Sequence, residues 1–177
     1  RDKILGSNAH LVVLNYTGNF SDYEDAVATV ESVEGIVAAA PFVYSEAMIR
    51  SSHGSTGVVL KGIDPLKSGA VTDVVSNITL GPSGPITERV DRDNVLATLS
   101  KPPRGTFQAA DDEDMLPGIL LGNELADQLW VGVGDRIHII NPVGGGVGPL
   151  GMPTPDVKPV RVAGIFESGM YEYDTKW

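Results

Sequence analysis

The stretch from Gly118 to Ser168 constrains the fold most, because its apolar pattern changes period in a fixed order. Ile119-Leu120-Leu121 reads as a buried strand, Leu125 and Leu129 share one helix face, and Ile137 and Ile139 alternate inward on a second strand. After Pro142 the chain enters a loop of Gly and Pro, then returns as the strand Val160-Arg161-Val162-Ala163-Gly164-Ile165-Phe166. Strand, helix, strand and returning strand together call for a sheet with a helix laid on one face.

Upstream, the near-continuous apolar run Ala9 to Tyr16 reads as a central strand covered on both faces. Ser21 and Glu24 have the spacing of a capping box, and Tyr23, Ala26, Val27, Val30 and Val33 recur at helical spacing until Gly35. Ile36 to Arg50, broken at Pro41, and Gly57 to Ile63 read as strands. Asp64-Pro65 suits a helix start, so a short helix through Val74 is expected. From Gly81 to Leu116 the pattern degrades through Lys101-Pro102-Pro103-Arg104-Gly105 and the acidic block Asp111 to Asp114. Val95, Leu96 and Leu99 can anchor a short helix there, but most of 81–116 reads as a mobile insertion or smaller lobe. The expectation is an α+β fold, a mixed β-sheet with βαβ-like units. Residues 1–80 and 117–177 form the sheet core, 81–116 a smaller second subdomain, and 142–159 a long protruding hairpin-like loop.

Composition removes several function classes. With 177 residues and 42% hydrophobic content, the chain has ample material for a core. A formal charge of −10 repels phosphate backbones and anionic headgroups, which argues against nucleic acid as a partner. The chain has no Cys, so disulfides, thiolate nucleophiles and thiolate metal sites are ruled out. No apolar run approaches the roughly 20 residues that cross a bilayer. The chain opens on Arg1-Asp2 and stops at Trp177 in an aromatic-rich segment, and is read as a piece of a longer polypeptide.

The candidate chemical motifs mostly resolve into ordinary structure. Gly146-Val147-Gly148-Pro149-Leu150-Gly151 matches the dinucleotide fingerprint, but that chemistry needs a following helix, which Pro149, Pro153 and Pro155 deny. His10, His53 and His138 lie in separate elements without metal-ligand spacing, and Asp111 to Asp114 lacks the pattern of a calcium loop. No G-x-S-x-G elbow or paired acid and base marks a catalytic site, so the chain reads as non-catalytic, with no cofactor and no metal. Sequons begin at Asn15, Asn19 and Asn77 and carry no weight, since such tripeptides are common by chance.

The 142–159 loop far exceeds the two to five residues usual in a hairpin. Val143, Val147, Leu150 and Met152 are apolar, and no charge precedes Asp156. By composition it serves equally as an interaction arm, an insertion with no partner, or a segment folded on its own domain. The residues assigned to partner binding are Val143, Val147, Pro149, Leu150, Met152, Pro153, Lys158 and Arg161. Leu150 and Met152 are the preferred anchors. Lys158 and Arg161 offer a cationic platform for an acidic partner, or simply solubilise a strand edge.

The order Pro117 to Leu129, Val133 to Pro142 and Val160 to Phe166, closing on Gly164-Ile165-Phe166-Glu167-Ser168-Gly169-Met170-Tyr171-Glu172-Tyr173-Asp174, resembles the LolC/LolE-type lipoprotein-releasing permeases of the MacB/FtsX superfamily of ABC transporters. The resemblance implies a periplasmic domain (MacB-like core) of a bacterial inner-membrane permease, inserted between membrane helices. It further implies lipoprotein cargo, a partner permease subunit, a LolD-like cytoplasmic ATPase, and a protruding loop, the Hook on the LolC side, that engages a LolA-like periplasmic carrier. One departure stands out: Trp130 follows the last helical Leu where the family commonly has Gly. The expectation is that Gly132 and Gly134 supply the turn instead and that Trp130 packs over the sheet, with an exposed contact role as the alternative. The competing functions are a MacB- or FtsX-like relay that docks an adaptor or cell-wall hydrolase, and a stand-alone binding module.

Overall fold

A computed structural model describes residues 9–15, 20–99, 116–142, 144–148 and 151–176. In chain order the elements are α1 (Tyr23–Glu31), β1 (Phe42–Arg50), β2 (Ser55–Ile63), a 3₁₀ turn (Ser68–Ala70), β3 (Ile78–Gly81) and β4 (Gly84–Pro85). They continue with α2 (Arg89–Ala97), β5 (Gly118–Gly122), α3 (Asn123–Leu129), β6 (Arg136–Asn141), β7 (Asp156–Phe166) and α4 (Tyr171–Lys176). One sheet holds the strands in the order β2-β1-β6-β7-β3-β4, with β5 also paired to β7. The β5–β7 pair is parallel and the others are antiparallel, so the fold is the mixed α+β type expected.

The main core forms where α3 lies on the sheet. Leu125, Ala126 and Leu129 of α3 meet Ala47, Ile49, Val58, Leu121, Ile137, Val160, Val162 and Ile165, and all are buried. A helix this short has little stability of its own, so tertiary burial holds it. Fully burying each large side chain contributes about 1.5–3 kcal/mol. α4 docks against β5 through a close approach at Gly122, where a Cβ would collide with the Asp174 backbone. The Asp174 carboxylate is buried and accepts the N–H groups of Ser168 (2.8 Å) and Gly169 (3.2 Å), tying α4 to the turn that follows β7.

A second cluster joins Val95 and Leu96 of α2 to Val75, Ile78 and Phe166, with Ile86, Leu99 and Leu120 at its margin. The degraded pattern after Gly81 therefore contains a packed helix, while residues 101–115, with the acidic block, lie outside the described residues.

The N-terminal expectations fare differently. Residues 9–15 form no strand, and Leu11, Val12, Val13 and Leu14 are exposed. A strand buried on both faces needs a hydrogen-bonded neighbour on each edge and a layer over each face, and the interior of this sheet is taken by β1, β6, β7 and β3. α1 forms at the expected place, yet none of its residues is buried. Its capping box does not close: Ser21 Oγ donates to Asp22 Oδ1 (3.3 Å), and Asp22 occupies the cap position without a side-chain cap bond. Asp64 Oδ1 accepts the Leu66 N–H (2.9 Å) as a helix N-cap would, yet the chain beyond it makes tight turns and a 3₁₀ turn rather than the expected α-helix through Val74.

Candidate functional site

β6 and β7 form a hairpin whose pairing runs to Asn141↔Asp156, and the arm continues from that end. Gly145 N–H donates to the Thr154 carbonyl (2.9 Å), and Thr154 N–H returns a bond to the Gly146 carbonyl (2.9 Å). Val147 and Pro153 face each other across an antiparallel bridge, and Gly148 N–H donates to the Met152 carbonyl (2.8 Å). Thr154 Oγ1 adds a bond to Gly146 O (3.2 Å). The glycines permit this close ribbon: a Cβ on Gly145 would meet the Thr154 and Pro155 carbonyls. The described part of the arm is thus a hydrogen-bonded ribbon.

Val147 is 78% exposed and Met152 66%, and Pro153 is exposed beside them. An apolar pair held in solvent by main-chain bonds offers a partner contact area with little ordering left to lose on docking. Val143, Pro149 and Leu150 lie outside the described residues.

The two cations assigned to a platform separate. Lys158 is exposed and pairs with Asp156 (3.2 Å), a surface ion pair that contributes little on its own. Arg161 does not face solvent, and its place in the platform is corrected. It is 8% exposed, its Nη2 donates to the Thr98 carbonyl (2.8 Å), and its Nε is buried without a hydrogen-bond partner. Burial draws its pKa below the usual guanidinium value. The cause is register: Arg161 falls where β7 leaves β6 for β5, its N–H bonds the Pro117 carbonyl (2.9 Å), and its side chain runs beneath the end of α2. Burial likewise lowers the pKa of Lys61, whose ammonium lies 5.6 Å from the ring centroids of both Phe42 and Tyr44. Burial, then the neighbouring Tyr173, raises that of Tyr44.

The structure also presents a residue for which the sequence favoured packing. Trp130 is 77% exposed and has φ 53° and ψ 49°, making it the described non-glycine residue with positive φ. Its N–H bonds the Asp127 carbonyl (3.1 Å), and Val131 N–H bonds the Ala126 carbonyl (3.0 Å). These are the paired bonds of a Schellman helix end, normally made around Gly. The helix therefore closes at Trp130 itself, and the expectation that Gly132 and Gly134 supply this turn is corrected. Trp130 is left in solvent while Leu125, Ala126 and Leu129 take the sheet-facing side of α3.

The His53 ring, on the β1–β2 turn, lies 6.5 Å from the Trp130 ring. Ser51 locks that turn to α3. Its Oγ donates to the Leu129 carbonyl (2.8 Å) and accepts the N–H groups of His53 (3.0 Å) and Gly54 (3.2 Å). Among the described residues, no group of three or more His, Asp or Glu side chains is placed to hold a metal ion, and no helix is long and apolar enough to cross a membrane.

Comparison with curated proteins finds matches across nearly the whole chain. It is 29% identical over 177 residues to "Lipoprotein-releasing system transmembrane protein LolC" of Neisseria meningitidis serogroup B (strain ATCC BAA-335 / MC58). Proteins of the same name from Xylella fastidiosa match at 27% identity, over 180 residues in strain Temecula1 and 183 residues in strain 9a5c. Each alignment covers 98% of this chain and 35% of the relative, so the chain spans about a third of the length of the proteins it matches. No family model matches. The three relatives support the resemblance to LolC-type lipoprotein-releasing permeases.

Proposed function

We propose that this chain is the extracytoplasmic domain of a LolC-type permease, and that its 142–159 arm captures the periplasmic carrier that receives released lipoproteins. The arm supports this reading: it extends the β6–β7 hairpin, where the resemblance implies a carrier-engaging loop, and it holds Val147 and Met152 in solvent. In this role the domain is non-catalytic. A separate LolD-like ATPase subunit in the cytoplasm drives the cycle, a partner permease subunit completes the membrane path, and the lipoprotein passes from the inner membrane to the LolA-like carrier. The domain acts in the periplasm.

Docking replaces water around two apolar side chains with carrier surface, while the ribbon's own bonds keep them poised. The test is a pull-down with a purified LolA-like carrier and the Val147→Asp/Met152→Asp double variant. Each substitution places a charge where an apolar contact forms, so retained carrier should fall at least about tenfold if the lost contact exceeds 1.4 kcal/mol. Thermal stability should stay near that of the parent, since both side chains are exposed. Undiminished capture by a folded double variant defeats the reading, and capture of a periplasmic adaptor or hydrolase in the carrier's place favours the MacB- or FtsX-like relay.

A further inference from the structure

The two ends of the sheet's strand order are built differently. At one, β4 is two residues long and closes on Pro85, which has no N–H to offer. At the other, β2 runs nine residues without a proline and pairs with β1 from Phe42↔Ile63 to Arg50↔Ser55 in one unbroken register. Among the described residues, no strand pairs with the outer side of β2. A straight, unbulged edge of this length is a template for another strand.

The β1–β2 turn fixes which main-chain groups that edge presents. Ser51 N–H donates to the Gly54 carbonyl (2.9 Å), so bonded pairs alternate down the hairpin as Ile49↔Thr56, Ala47↔Val58, Ser45↔Leu60 and Val43↔Gly62. The N–H and C=O groups of Ser55, Gly57, Val59, Lys61 and Ile63 therefore point away from β1. The charge that would guard such an edge is withdrawn from it. Lys61, the one charged residue of β2, holds its ammonium 5.6 Å from the ring centroids of Phe42 and Tyr44, both on β1.

The strand is also complementary to itself. Antiparallel pairing about Val59 sets Ser55 against Ile63 of a second copy, Gly57 against its Lys61, and Val59 against its Val59, all residues with outward main-chain groups. Val58 then meets Leu60 of the second copy on the face where Val58 is buried, so the two apolar faces run on into each other. A Cβ on Gly57 would meet nothing within 4 Å, so each Lys61 comes opposite open space. Centring the pair on Lys61 would instead oppose two ammonium groups and leave the far end of each strand unpaired. The register about Val59 engages all nine residues and opposes no like charges.

We propose that β2 is a homodimerisation edge, on which a second copy of this chain adds its own β2 antiparallel about Val59 to make one continuous sheet. The contact is two-fold and uses both β2 edges, so assembly stops at the dimer. It stands independently of what the arm captures. Sedimentation velocity of the 177-residue chain tests it. Monomer should pass to dimer as concentration rises, and more readily at high salt, because each copy carries −10 and screening removes the mutual repulsion. Gly57→Glu places a carboxylate opposite Lys61 of the second copy and should tighten the dimer about fivefold, whereas Gly57→Lys should loosen it about fivefold. Overall charge alone predicts the reverse order, since the Glu variant is the more negative. Val59→Pro removes an N–H that β1 does not use, and should abolish the dimer while the monomer keeps its circular dichroism. Amide exchange followed by NMR should show Gly57, Val59 and Lys61 gaining protection with concentration. A monomer at every concentration overturns the proposal, as does assembly beyond the dimer, a dimer loosened by salt, or Glu and Lys variants that do not separate in this order. If Val59→Pro fails to fold, the two Gly57 variants still decide.

Discussion

Residues 118–139 and residues 9–15 both carry several large aliphatic side chains, yet these end in opposite environments. Leu121, Leu125, Leu129 and Ile137 are essentially inaccessible to solvent, whereas Leu11, Val12, Val13 and Leu14 are exposed. The first group belongs to a strand, helix and strand that cover one another, with β7 pairing with both strands. The second belongs to a segment with no strand pairing, followed by a helix that buries none of its residues. Hydrophobicity becomes stability only where backbone pairing and a covering layer remove the side chain from water.

The contrast is tested most strongly at Leu125. Leu125→Ala removes a fully buried side chain from the centre of the α3 contact and should cost about 2–5 kcal/mol, measured by urea unfolding. A loss below 1 kcal/mol would mean that α3 is not the keystone of the core. Trp130→Gly has the opposite sign and a smaller size. Relief of the left-handed backbone should raise stability by about 1 kcal/mol, or roughly 2–4 °C in Tm, because the exposed ring has little packing to lose. A fall in Tm would show that the indole packs more than its exposure indicates. The smallest effect belongs to the N-terminal run: Val12→Ser with Val13→Ser should leave unfolding within about 0.5 kcal/mol of the parent. A large loss there would place those residues in a core after all.

Much of the fold was legible in the sequence. The positions of β1, β2, β5, α3, β6 and β7 follow from period and punctuation, and Leu125, Leu129 and Ile137 were identifiable as core. The arm was legible as well, because a long Gly and Pro connection between two strong strands has few explanations. What escaped the sequence depended on neighbours. Arg161 reads as a surface cation from its charge and its place on the strand leaving the arm, but β7 changes partners at that residue and α2 closes over it. Ser51 gives no local hint of its role, since the carbonyl it serves lies on α3, far along the chain.

Trp130 marks the boundary between the two kinds of knowledge. Its unusual identity at a helix end was visible in the sequence, as was the stop that the helix makes there, because local hydrogen-bond geometry depends on residues close in the chain. Whether the indole faced core or water was settled only when α3 lay on the sheet with its Leu125 and Leu129 face inward and the β1–β2 turn fastened beside it. Period and propensity act over a few residues and define the elements. Burial and pairing act between distant segments, so only the assembled sheet decides which apolar and charged groups leave water.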